Sequence, residues 1–205
     1  MYTLYYMPGA CSMAIHVVLN ELGQQVTLEN VGGDKRPEAF LKINPRGNVP
    51  TLVDDGHTIR EGGAIIVYLN DKHKGALLPA SGFERAAALE WLMFCNATLH
   101  PAYGRAFFAM KALKGEEQKN ILSLSVSNIN KLWQDVEQRL GSSEYLAGNT
   151  LTAGDILLTV IANWSAHFPD IKIGENTKRL LREVIARPAY QKALQAEKVE
   201  YKVAA

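Results

Sequence analysis

Along the first third of the chain, apolar residues alternate with polar ones and then recur at helical spacing, switching period every few residues. Tyr2 to Tyr6 reads as a strand, and Met13 to Leu22 as a helix closed by Gly23. Val26 to Val31 is a second strand, followed by a short helix from Pro37 to Ile43 with its proline at the start. Thr51 to Val53 and His57 to Ile59 flank Asp55-Gly56, a strong hairpin signal. Gly62-Gly63 then opens a helix through Ile65, Ile66, Tyr68 and Leu69. The order β-α-β-α-β-β-α predicts a small α/β domain over residues 1–75.

The pattern changes after Gly75. Proline and glycine in Gly-Ala-Leu-Leu-Pro-Ala-Ser-Gly break both periodicities, which predicts a linker over 76–82. Beyond it only helical spacing remains: Phe83 to Met110, Glu116 to Leu140, Thr152 to Ala166, Thr177 to Ala186, and a last helix from Pro188. An all-helical domain over 83–205 follows. One of its helix starts is strongly specified, because Thr152-Ala153-Gly154-Asp155 is a capping box with Asp in place of Glu, and Leu151 and Ile156 are spaced as a hydrophobic staple. That pair belongs to folding rather than to catalysis.

Composition excludes more than it assigns. Lys and Arg total 22 against 21 Asp and Glu, so no field of one sign recruits nucleic acid or an anionic membrane. The longest apolar runs, such as Ile156 to Ala162, fall short of the ~20 residues that span a bilayer. Two cysteines are too few for a disulfide scaffold, and the first residues lack the pattern of a signal peptide, so a reducing cytoplasm is expected. The five histidines, at 16, 57, 73, 100 and 167, lack ligand spacing, and no metal is expected.

Cys11 is the residue best placed for chemistry. It follows the turn Met7-Pro8-Gly9-Ala10 and so begins the first helix, where backbone N–H groups and the macrodipole lower a thiol pKa. Position 14 is alanine, which excludes an internal dithiol pair at this turn. A single thiol remains, able to form a mixed disulfide with a small thiol or to donate a hydrogen bond to one. Cys95, inside Trp91-Leu92-Met93-Phe94-Cys95, reads as core. Pro50 belongs at the first position of the third strand, and for an arbitrary X-Pro bond the cis form is only about 5% populated, which favours a trans turn.

Taken together these segments resemble the glutathione transferases, most closely the bacterial beta class. The resemblance rests on Leu4 to Ser12, on Ile43-Asn44-Pro45-Arg46-Gly47-Asn48-Val49-Pro50, and on Glu61-Gly62-Gly63-Ala64-Ile65. Trp91 to His100 and the Thr152 to Asp155 box extend it over essentially the whole chain. It implies a thioredoxin-like first domain, a cis Val49–Pro50 bond, and a pocket between the domains. Val49 would pair its backbone with the cysteinyl part of glutathione as an added strand. Glu61 and the N–H groups at Gly62 and Gly63 would hold the γ-glutamyl end, with Lys35 near the glycyl carboxylate. Cys11 would lie beside the ligand sulfur, with Tyr6 and Ser12 close by and His100 reaching in from the helices. Of Tyr5 and Tyr6 only one can face the site, since neighbouring strand residues point to opposite sides.

The chain also departs from the class pattern. Met93 stands where asparagine is usual, Pro101 where lysine is usual, and Gly62 where a hydroxyl residue is common. Asn96 or Arg105 are the candidates to replace the missing polar contacts. The resemblance implies an enzyme conjugating the glutathione thiolate to small apolar electrophiles, with Phe107, Phe108, Trp164, His167 and Phe168 as candidate walls, and a homodimer. Two alternatives stay open: thiol-disulfide exchange through Cys11, and a non-catalytic dimerisation or protein-binding module.

Overall fold

The computed structural model describes residues 1–203. Four strands form one sheet: β1 (Tyr2–Tyr6), β2 (Val26–Asn30), β3 (Thr51–Asp54) and β4 (His57–Arg60), in the order β2-β1-β3-β4. β1 is parallel to β2 and antiparallel to β3, so the crossover through helix α1 (Ser12–Glu21) puts the β1–α1 turn at one end of the sheet. The Asp55-Gly56 turn behaves as the dipeptide predicts: both residues have positive φ, at 45° and 85°, and Asp54 pairs with His57. Helices α2 (Glu38–Ile43) and α3 (Gly62–Lys72) complete this part of the chain.

Helices fill the rest. α4 (Gly82–Met93), α5 (His100–Ala112), α6 (Gly115–Leu140), α7 (Ala153–Ala162), α8 (Glu175–Ala186) and α9 (Pro188–Glu197) follow in order. Every residue of α7 is buried, and the helix packs between α4 and α1. Its start carries the expected capping box, in which Asp155 accepts the Thr152 N–H at 2.7 Å and the Thr152 hydroxyl at 2.9 Å. Asp155 also reaches the Leu146 N–H at 2.9 Å, tying the preceding loop to the same carboxyl. From α6, Glu137 accepts the N–H groups of Asn176 and Thr177, each at 2.9 Å, and so caps α8.

Two long helices read from the sequence are each interrupted. The run expected from Phe83 to Met110 breaks into α4, a π-helical segment Phe94–Leu99, and α5. The run expected from Thr152 to Ala166 ends at Ala162 and tightens into a 3-10 turn, Asn163–His167. Neither break contains an internal glycine or proline to announce it, yet both carry residues of the site. Such π segments are common at functional positions, because the extra residue re-aims the side chains around it.

The strand-bearing part and the helices share an extensive apolar boundary. Met13, Val17 and Leu69 lie in the same buried cluster as Leu92, Leu99 and Ile161. α1 lies against α9, and Arg187 grips Glu21 at 2.6 and 2.8 Å, two parallel bonds that fix this face.

Candidate functional site

The turn after β1 is held by its own backbone and by Ser12. Gly9 takes a φ of +68°, which glycine adopts without strain, and the Ala10 N–H donates to the Met7 carbonyl at 3.1 Å. The Ser12 hydroxyl is fully buried and exchanges bonds with Met7, accepting its N–H at 3.2 Å and donating to its carbonyl at 3.3 Å. Ser12 therefore fixes the turn, its hydroxyl bonded to both polar groups of the Met7 backbone. Cys11 is half-buried at the N-cap of α1, and its thiol donates to the Val49 carbonyl at 3.5 Å.

Two effects compete at this thiol. Burial disfavours the thiolate, whereas the backbone N–H groups of Ser12 and Cys11 favour it. Burial wins, and the pKa is pushed up to about 11 rather than lowered as the helix end alone predicts. At neutral pH the group is then a protonated donor. Alkylation by iodoacetamide in the absence of other thiols is expected to keep accelerating beyond pH 9.5. A plateau below pH 9 would show instead that the helix end dominates.

Opposite the thiol, the Val49–Pro50 bond is cis, as the family resemblance implies and contrary to the trans turn that X-Pro statistics favour. Its loop is built on buried Asn44, whose amide nitrogen donates to the Asn48 carbonyl at 3.0 Å and the Thr51 hydroxyl at 2.9 Å. Arg36 joins three loops: it donates to Gly47 and Val31 carbonyls, each at 2.8 Å, and to the Met7 sulfur at 3.0 Å. Neighbouring Lys35 is exposed in the loop after β2.

Glu61 follows at the end of β4 with a φ of +68°, a strained value for a residue with a side chain, and its exposed carboxylate lies 3.7 Å from Arg46. Glu61 is the N-cap of α3, whose first N–H groups, at Gly62 and Gly63, lack partners within the helix. Gly62 is what lets the π segment approach: a Cβ there would sit 3.2 Å from the Asn96 amide oxygen and 3.6 Å from Pro50. At Gly63 a Cβ would lie 2.5 Å from the Met93 methyl, so Met93 fills the space over the helix start. The two glycines thus admit different residues of the facing segment, Gly62 the Asn96 amide and Gly63 the Met93 side chain.

The helical wall is aromatic. His100 packs edge-on against Trp164 with ring centres 5.1 Å apart, and burial lowers its pKa, keeping the imidazole neutral. Trp164 reaches across to the thiol turn, donating its indole N–H to the Gly9 carbonyl at 2.8 Å. Phe107 touches Trp164, His167 and Phe168 at 6.2, 5.5 and 5.0 Å between ring centres. Phe108 does not join them: it is 62% exposed and lines a separate cleft between α5 and α6 with Pro101, Arg105, Ile121 and Leu124. Arg105 lies with it, away from the thiol turn.

Of the two tyrosines, Tyr5 stacks on Phe40 of α2 at 5.1 Å, on the face opposite the helical domain. Tyr6 is buried on the inner face, its phenol pKa raised by burial and by the Glu197 carboxylate. Sequence reasoning missed three organising groups: Arg36, the indole of Trp164 as a support for Gly9, and Glu197, which accepts the Gly9 N–H at 3.1 Å. Their contacts join distant parts of the chain and leave no local pattern.

Known proteins resemble this one in both sequence and fold. The family model for the glutathione S-transferase N-terminal domain matches residues 4–76. A glutathione S-transferase of Escherichia coli O157:H7 is 31% identical over 202 residues, 95% of this chain and 98% of that protein. One from Xanthomonas campestris pv. campestris is 31% identical over 201 residues, 95% of this chain and 98% of the other. The solved glutathione S-transferase from Xylella fastidiosa superposes with a TM-score of 0.90 at 25% identity, covering 98% of this chain and all of that one. A sphingomonad glutathione S-transferase solved with glutathione bound gives 0.83 at 29% identity, over 97% and 100% of the two chains. With this likeness running from end to end in sequence and in fold, the chain belongs to the glutathione S-transferase family.

Proposed function

We propose that the protein binds glutathione between its α/β domain and its helices, with the domain boundary in 76–82, and conjugates it to small apolar electrophiles. The observation that carries this reading is the place of the Cys11 thiol, 3.5 Å from the Val49 carbonyl and beside the loop that a glutathione backbone would extend. A neutral thiol can donate to a bound thiolate, and one hydrogen bond to a charged partner favours ionisation of that partner by roughly tenfold or more.

The other residues take complementary parts. Val49 offers its backbone to the cysteinyl unit, with Pro50 fixing the loop. Glu61 receives the ammonium of the γ-glutamyl end, the N–H groups of Gly62 and Gly63 its carboxylate, and Asn96 stands in for the hydroxyl that Gly62 lacks. Lys35 offers a charge to the glycyl carboxylate. His100, neutral, and Tyr6, protonated, add donors beside the sulfur, while Phe107, Trp164 and His167 wall the electrophile. The same reading extends to the beta class, to a cytoplasmic detoxifying enzyme, and to a homodimer, for which the exposed Phe83, Phe108 and Leu124 supply apolar surface.

Thiol-disulfide exchange through Cys11 is the weaker reading, because it needs the thiolate that burial disfavours. Retention on immobilised glutathione and conjugation of 1-chloro-2,4-dinitrobenzene test the proposal together. Cys11→Ala is expected to lower conjugation by about tenfold while leaving it measurable. A wild-type protein that neither binds nor conjugates would overturn the proposal, and exchange activity lost in Cys11→Ala alongside absent conjugation would favour the alternative.

A further inference from the structure

Glu197 is placed where stability alone argues against it. It is the last residue of α9, where the macrodipole is negative and a carboxylate is unfavourable, and its side chain has no exposure at all. Burying a carboxylate is costly unless each oxygen is bonded, and here each has a partner. One oxygen meets the His16 ring Nδ1 at 3.0 Å, and the other accepts the Gly9 N–H at 3.1 Å. His16 is itself only 3% exposed on α1. Tyr6 of β1 and Tyr190 of α9 are the other titratable groups near this carboxylate.

Gly9 is also held from its other side. Its carbonyl accepts the Trp164 indole N–H at 2.8 Å, and a Cβ at this position would stand 3.5 Å from both Val199 methyls. Both polar groups of one peptide residue, two positions before Cys11, are therefore taken by side chains from the far end of the chain. The turn's own bonds, through Met7 and Ser12, leave Gly9 without a local partner for either group.

We propose that Glu197, braced by His16 and assisted by Trp164, is a positioning residue that sets the β1–α1 turn and thereby the place of the Cys11 sulfur. The proposal rests on the glutathione reading for its kinetic consequence, but not for its effect on the thiol itself. Loss of the Glu197 bond frees the Gly9 N–H, lets the turn shift, and exposes Cys11.

Three variants test it: Glu197→Leu, which removes both acceptor oxygens at similar size; Trp164→Phe, which keeps a ring and removes the indole donor; and Glu137→Gln, which weakens only the cap of α8. Iodoacetamide alkylation of Cys11 at pH 8 is expected to run about tenfold faster in the first two, matching the loss of one bond to a charged or buried group. The kcat/KM for glutathione should fall about tenfold in Glu197→Leu. Glu137→Gln should leave both quantities at the wild-type value despite a lower melting temperature. If Glu197→Leu does not fold, Trp164→Phe alone decides. Alkylation within about twofold of wild type, or an equal change in Glu137→Gln at matched melting temperature, overturns the proposal. If the wild type proves inactive with glutathione, the functional reading fails, while the alkylation rates still decide the positioning role.

Discussion

Asp155→Ala is expected to lower stability by about 4 kcal/mol, from two buried backbone N–H groups left without acceptors at roughly 1–3 kcal/mol each. Those donors belong to Leu146 and Thr152, and the Thr152 hydroxyl loses its acceptor too. The effect is concentrated because one carboxyl organises both the loop before α7 and the first turn of a helix that is buried throughout. For a chain of this length the melting temperature should fall by about 8–16 °C. Asp155→Asn should cost less, since burial raises the Asp155 pKa and the folded state already tolerates a neutral group there. The sign follows: a raised folded-state pKa means that this group's contribution is largest below its ordinary value near 3.8 and declines as pH rises through the folded one. Acid unfolding is therefore not expected to begin at Asp155. A melting temperature for Asp155→Ala within about 2 °C of wild type would show that the loop and helix start are held by other groups.

The same box was legible from sequence because its parts lie within four residues, and the Asp55-Gly56 hairpin was legible for the same reason. The strand and helix order of the first 72 residues follows from local periodicity, and each element appears within a residue or two of its expected span. The break at Phe94–Leu99 was not legible, because Trp91, Leu92, Cys95 and Leu99 keep a helical spacing across it. Insertion of a wider turn changes which way Asn96 and His100 face without disturbing that apolar pattern. The Cys11 pKa has a related origin. Position reveals the helix end that lowers it, but the burial that raises it comes from the whole fold. Glu197 and Arg36 were invisible on the same grounds: nothing near Glu197 in sequence predicts that it will meet Gly9, 188 residues away.

Trp133→Ala carries the other large effect, an expected loss of about 4 kcal/mol, typical of deleting a fully buried aromatic side chain. Trp133 is 1% exposed on α6, and its indole donates to the Tyr103 hydroxyl at 2.9 Å. Tyr103 in turn bonds Ser165 of the 3-10 turn and packs against Trp164 at 5.8 Å. A cavity at Trp133 thus removes the floor under the aromatic wall, and its consequences extend to the residue that holds the Gly9 carbonyl. Trp133→Phe separates the two contributions, because it fills most of the volume and removes the donor; a cost of about 1–2 kcal/mol is expected, with Tyr103 still bonded to Ser165. Urea unfolding followed by circular dichroism measures both. Conjugation by Trp133→Phe at a temperature where it is fully folded should stay near wild type, since the aromatic wall keeps its support. If Trp133→Ala cost no more than Trp133→Phe, the core between α5, α6 and the 3-10 turn would have collapsed around the gap, and the wall over Cys11 would not depend on this tryptophan.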